Sequence, residues 1–194
     1  PISKPASLTL TRLKHGGDWF VVNNYSLETR TAADLSAIVT GLKLSAGDPI
    51  AAADLKAGRA AVAWLTGRQS VALTDADLAA LKTYLTGGGF LLSEATMGDA
   101  RFDAAFRAVA GQLGLRFVAV GKDDPLLTGK FDGGTGYAID AARFTFALRA
   151  QRIGQPLPEL YRLTLDGKWV GLYSSFDLTF CQTGMDAFDC RGYE

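Results

Sequence analysis

Histidine and cysteine are almost missing from this sequence: His15 is the one histidine, and Cys181 and Cys190 are the two cysteines, in 194 residues. A structural zinc site takes about four Cys or His ligands and a catalytic one about three, so zinc would need carboxylates in unusual number. A serine or cysteine nucleophile would have to recruit His15 as its base, yet Cys181 lies late in the chain and His15 early. Ser93, Ser174 and Ser175 do not sit in a nucleophile-elbow pattern. An excess of one charge is absent too, since Lys plus Arg and Asp plus Glu each total 20. That balance argues against a nucleic-acid partner, whose phosphates call for clustered basic charge, and against a polybasic membrane contact. No apolar run approaches the roughly 20 residues that span a bilayer. No signal peptide is visible, although Pro1 is not a natural start. The expectation is a soluble α/β domain, one unit over residues 1–194, with no cofactor.

What is present is a strand–helix–strand pattern from Ala60 to Glu94. Ala60 to Leu65 is continuously apolar, which suits a strand buried on both faces of a parallel sheet. Thr74 and Asp77 form a capping box, with Leu73 and Leu78 placed as a hydrophobic staple. Leu78, Leu81 and Leu85 follow at helical spacing, and Gly87-Gly88-Gly89 stops the helix. Phe90 to Leu92 is the second strand, ending at Ser93-Glu94. The triple glycine precedes a strand and does not open a helix, so it is no dinucleotide fingerprint.

Elsewhere, Ser7 to Leu13 alternates as a half-buried strand, and His15 to Trp19 is a turn. Phe20 to Val22 resumes extended structure. The spacing of Leu35, Ile38, Val39 and Leu42 predicts a helix over 31–44. Ser45 to Ala57 is looser, with a short strand near Pro49 to Ala53. Phe102, Phe106, Val109 and Leu113 predict a helix closed by Gly114, followed by a strand over 116–120. Asp123 to Leu127 reads as an extended or turning loop, because the residue before proline avoids the helical region. Lys130 to Pro158 reads as an elaboration on one sheet edge, weakly helical from Ala141 to Ile153. Leu160 to Leu165 and Lys168 to Tyr173, joined by Asp166-Gly167, form a hairpin with a type I′ turn. Together these elements predict an α/β fold with a mainly parallel sheet and a late antiparallel hairpin.

In such sheets ligands bind at the carboxyl ends of the strands. Those ends supply Thr66, Gly67, Ser93 and Glu94 as candidate ligand-binding residues. Asp18, Trp19 and Asp177 join them if the turns at both ends of the chain fold over the same edge. Asp18, Glu94 and Asp177 would then suit a divalent cation or a polyol. The plainer alternative has Asp18 and Asp177 capping turns and Trp19 in the core. Cys181 and Cys190 flank a loop and suit a disulfide clip, which implies an extracytoplasmic location; two thiols in a cytoplasmic protein are the alternative.

Several stretches, in order, resemble a bacterial family, the domain of unknown function 4159. They are Arg12-Leu13-Lys14-His15-Gly16-Gly17-Asp18-Trp19, Trp64-Leu65-Thr66-Gly67, and Leu81 through Leu92. Asp123-Asp124-Pro125-Leu126-Leu127, Asp166-Gly167-Lys168, Ser174 through Leu178, and Arg191-Gly192-Tyr193 complete the set. The resemblance implies a three-layer, flavodoxin-like fold similar to class I glutamine amidotransferases, and a place beside a membrane-anchored region of the cell envelope. It also implies a further helix and strand past Tyr193, so that the chain is cut short there. Two positions depart from the family: Ser93-Glu94 keeps one of two acidic residues, and Asp124-Pro125 stands where a His-Pro pair is common. The Gly-x-Cys-x-Gly elbow and His-x-Glu pair of the amidotransferases do not occur. The implied function is a non-catalytic, amidotransferase-like domain of the bacterial periplasm that binds a small ligand or an envelope protein. The alternative is a hydrolase with Glu94 as acid/base and Asp18 or Asp177 as its partner.

Overall fold

The computed structural model describes residues 6–20, 42–56, 61–131, 134–180 and 189–193. Seven strands make its central sheet: β1 (Ala6–Lys14), β2 (Leu42–Ala51), β3 (Ala61–Gly67), β4 (Phe90–Ala95), β5 (Arg116–Ala119), β8 (Tyr161–Leu165) and β9 (Lys168–Ser174). Their order across the sheet is β2-β1-β3-β4-β9-β8-β5. Strands β2, β1, β3, β4 and β9 are mutually parallel, and β8 then pairs antiparallel with both β9 and β5. A separate short ribbon pairs β6 (Lys130–Phe131) with β7 (Gly134–Thr135). Among the described residues the α-helices are α1 (Asp75–Thr86), α2 (Ala100–Leu113), α3 (Pro125–Thr128) and α4 (Phe146–Arg149). Among the described residues no helix is long and apolar enough to cross a membrane.

The strand–helix–strand unit forms as its local signals require. The Thr74 hydroxyl accepts from the Asp77 amide at 3.2 Å, and the Asp77 carboxylate accepts from the Thr74 amide at 3.0 Å. Asp77 also accepts from the Ala53 amide at 2.9 Å, which ties the turn after β2 to the start of α1. Leu81 and Leu85 are buried while Lys82 is exposed, so one face of α1 packs down. At its end the Gly89 amide reaches back to the Tyr84 carbonyl and the Gly88 amide to Leu85, the Schellman arrangement. The hairpin turn is type I′ in conformation, with φ of 51° at Asp166 and 77° at Gly167.

Residues paired in register share a face of the sheet. One face carries Leu13, Ala63, Leu65, Leu91, Ser93, Ala95 and Tyr173, and against it pack Leu81, Tyr84 and Leu85 of α1 with Phe102, Phe106 and Leu113 of α2. Each large apolar side chain buried there contributes about 1.5–3 kcal/mol. Tyr173 stacks on Phe106 at 4.5 Å and donates its hydroxyl to Asp103 of α2 at 2.5 Å, which fixes α2 over β9. The other face carries Leu10, Arg12, Trp64, Thr66, Leu92 and Glu94.

Three local expectations need correction. Leu42 to Leu44, read as the end of a helix over 31–44, begin strand β2; residues 31–41 lie outside the described set, as do Val21 and Val22. Leu42 falls at the helical interval from Ile38 and Val39 and equally alternates with Leu44 as a strand requires, and pairing with β1 decides between the two. The strand also runs through Asp48-Pro49, which β2 tolerates as an edge strand whose register shifts opposite Thr11 and Leu13. The loop expected over 123–127 contains the one-turn helix α3. Asp124 is extended, as a residue before proline should be, but it caps that helix by accepting from the Leu126 amide, with Pro125 at its first position.

Candidate functional site

Strands β1, β3, β4 and β9 are mutually parallel, so their carboxyl ends lie along one edge of the sheet. The segments leaving that edge are His15 to Phe20, Arg68 to Ser70, Thr96 to Gly98, and Ser175 to Phe180. All seven candidate residues belong to these strand ends or segments.

Asp18 organises the first two. Its carboxylate accepts from the backbone amides of Arg68 at 3.1 Å, Gln69 at 2.8 Å and Ser70 at 2.9 Å. Beside it, His15 accepts the Gly17 amide on Nδ1 at 3.0 Å, so Nε2 carries the proton and donates to the Thr66 carbonyl at 3.1 Å. Burial lowers the imidazole pKa, against the smaller opposing effects of that bond and of Asp18 and Asp77, and the ring is neutral and structural. Gly67 is required by close approach: a Cβ there would lie 2.9 Å from the Phe102 ring and 3.2 Å from Asp18 Oδ1. Trp19 is half-buried and therefore not a core residue; its ring meets Phe20 edge-on at 5.4 Å.

Glu94 organises the others. It is 1% exposed, and donors converge on both its oxygens. Oε1 accepts from Trp64 Nε1 at 3.2 Å and pairs with the Thr179 hydroxyl at 2.5 Å, while Oε2 accepts from the Leu178 amide at 2.5 Å. Asp177, 0% exposed, accepts from the Met97 amide on Oδ2 at 2.6 Å and from the Thr179 amide on Oδ1 at 3.1 Å. The two carboxyl groups thus meet around Thr179. Thr66 joins them, with its hydroxyl bonded to the Glu94 carbonyl at 3.1 Å and to the Thr96 hydroxyl at 2.8 Å. On the far side of Trp64 lies Arg12, buried, its guanidinium carbon 4.6 Å from the indole centroid.

The segment after β4 is bent to reach this network. Met97 has φ of 59°, a left-handed conformation that costs a non-glycine residue about 1–2 kcal/mol. It is held there because its amide donates to Asp177 and its carbonyl accepts from the Arg191 amide at 3.0 Å. Gly98 follows with φ of 65°, and a Cβ on it would lie 2.3 Å from the Arg191 carbonyl oxygen. Residues 189–193 are stitched on by further backbone bonds, the Asp177 amide to the Arg191 carbonyl and the Tyr193 amide to the Asp177 carbonyl. Cys190 packs with Met97 and Phe180 and is disulfide-bonded; Cys181, the other cysteine of the chain, lies outside the described residues.

Burial pushes the Glu94 carboxyl up to about 8, and the neighbouring Asp177 charge adds to the rise; the bonds from Thr179, Leu178 and Trp64 oppose it. At neutral pH the group therefore keeps its proton. The network accommodates this, because a proton on Oε1 can be donated to the Thr179 oxygen while Trp64 and Leu178 continue to donate to Glu94.

Ser93 differs from the rest. It is 0% exposed, points into the apolar face with α1 and α2, and among the described residues its hydroxyl has no hydrogen-bond partner. Asp18 engages the segment after β3 rather than Glu94 or Asp177, and among the described residues no three His, Cys, Asp or Glu converge to hold a metal ion. Four participants escape a reading of spacing alone: Arg12, Trp64, Met97 and Thr179. Each is an ordinary strand or loop residue in sequence, and only the pairing of β1, β3, β4 and β9 brings them together.

No curated protein and no solved structure matches the chain. The model of one family, described as a domain of unknown function (DUF4159), matches residues 9–180, and the chain belongs to that family.

Proposed function

We propose that this domain acts in the cell envelope by binding a partner, without catalysis, on a sheet of the flavodoxin-like, class I glutamine amidotransferase type. The observation that carries the reading is the internal engagement of all three candidate carboxylates. Asp18 is bonded to three amides, Glu94 to Trp64, Leu178 and Thr179, and Asp177 to Met97 and Thr179. A catalytic pair must face substrate, and Glu94 and Asp177 face their own chain at 1% and 0% exposure. The strand order β2-β1-β3-β4-β9 supports the flavodoxin-like assignment, since it follows the doubly wound order of that fold with β9 as the last parallel strand. The disulfide at Cys190 supports an extracytoplasmic location. Alkylation and mass spectrometry of natively sourced protein tests that point: two free thiols would contradict it.

One observation favours the hydrolase alternative, in which Glu94 is the acid/base with Asp177 as its partner. A carboxyl raised to about 8 beside a second carboxylate is the electrostatic pattern of a general acid. The experiment is a panel of nitrophenyl esters, glycosides and phosphates, run with the wild type and Glu94→Gln, beside a thermal-shift screen of metals, sugars and nucleotides. The binding reading expects no turnover that depends on Glu94. Turnover abolished in Glu94→Gln, with the variant still folded, would establish the hydrolase instead.

A further inference from the structure

Away from the carboxylate network, the segment between β7 and β8 forms a groove of about 500 Å³ lined by Phe144, Arg149, Arg152, Ile153, Gly154, Gln155 and Pro156. Its wall is α4 continued by a tight turn over Ala150–Arg152, and it is anchored firmly. The Thr145 amide donates to the Gly192 carbonyl at 3.0 Å, the Thr145 hydroxyl to the Cys190 carbonyl at 2.6 Å, and the Phe144 ring lies 5.7 Å from that of Tyr193. The groove is therefore a built feature, tied through residues 190–193 to Asp177.

Its lining is apolar apart from two guanidinium groups and the Gln155 amide. Ile153 is 82% exposed at the rim, and Phe146 of the same wall is 68% exposed. Arg152 pairs with Glu159 at 2.8 Å, and its buried Nε has no hydrogen-bond partner among the described residues. Arg149 donates one bond to the Phe144 carbonyl at 3.3 Å, and among the described residues no carboxylate pairs with it. A small ligand needs most of its surface enclosed. A groove with so exposed a rim suits a side chain presented by another polypeptide.

We propose that this groove receives an acidic peptide segment of a partner protein, an aliphatic or aromatic side chain lying against Phe144, Ile153 and Pro156 and an adjacent carboxylate meeting Arg149. The inference rests on the reading of the domain as a binding module and names the chemistry of its partner. Charge complementarity selects the occupant: Glu159 already pairs with Arg152, so Arg149 is the lining cation that repels a basic segment and draws in an acidic one, and no acid lines the groove to oppose it.

The test is an array of hexapeptides in which Phe, Leu or Ile is flanked by Asp or Glu, with matched arrays flanked by Lys and by Ser. It is probed with the wild type, Arg149→Glu and Ile153→Ser. The expected result is retention on the acid-flanked peptides alone, weakened roughly tenfold by either variant and by high salt. Both substituted side chains are exposed, so thermal unfolding should match the wild type and exclude misfolding as the cause. Equal retention on the Lys-flanked peptides, retention unchanged in both variants, or no retention on any array would overturn the proposal. Failure here leaves the hydrolase panel unaffected, and turnover in that panel would overturn the non-catalytic reading whatever the array shows.

Discussion

Ser93 and Glu94 are adjacent in β4, both are sealed from solvent, and the sheet sends them to opposite faces. Ser93 enters the apolar layer under α1 and α2, where its hydroxyl finds no partner among the described residues. Glu94 enters a layer where Trp64, Leu178 and Thr179 all bond to it. The same strand thus buries one polar group at a cost and another as the point that joins the sheet to residues 177–180. Burial alone does not indicate importance; the partners do.

Breaking the partnered side should have the largest effect. Glu94→Leu strands the Leu178 amide, the Trp64 indole N–H and the Thr179 hydroxyl, and should cost about 3–5 kcal/mol in urea unfolding. Asp177→Asn is milder: both carboxylate oxygens accept from amides, so the new NH₂ group must face one of them, for a loss of about 2–3 kcal/mol. Trp64→Phe keeps most of the apolar volume and a ring beneath Arg12 but removes the indole donor, and should cost about 1–2 kcal/mol. Ser93→Ala should go the other way and stabilise by about 1 kcal/mol, because it removes a buried hydroxyl that has no bond to lose. A loss in Ser93→Ala as large as that in Trp64→Phe would erase the contrast between the two faces.

The helix side of the sheet is largely legible in the sequence because its determinants are local. The Thr74–Asp77 box, the Leu81 and Leu85 spacing and the Asp166-Gly167 turn all act within a few residues. The Glu94 network is not legible, because its donors stand 30, 84 and 85 residues away and none has a distinctive sequence context. Asp18, Glu94 and Asp177 could be singled out by their place at strand ends. Their roles could not, since only the structure separates Asp18, which caps the segment after β3, from the pair that meets at Thr179. Edge strand β2 was obscured for a related reason: Gly47-Asp48-Pro49 punctuates the sequence like a loop, and the shifted register with β1 absorbs it.

Glu94 is sealed inside the fold, and its titration tests this most directly. Its folded pKa, about 8, lies above the ordinary value of 4.5, so between those values the folded protein keeps a proton that the unfolded chain loses. The contribution to stability is therefore full below about pH 4.5 and is lost as pH rises toward 8, at up to roughly 1.4 kcal/mol per pH unit. Glu94→Gln has no such proton, and its amide satisfies only one side of the donor set at every pH. Urea unfolding of both proteins from about pH 5 to about pH 8 should show the wild type's advantage shrinking steadily, by about 3 kcal/mol in all. An advantage that stays constant across that range would mean that Glu94 titrates as an ordinary, solvent-facing carboxylate and is not sealed inside the fold.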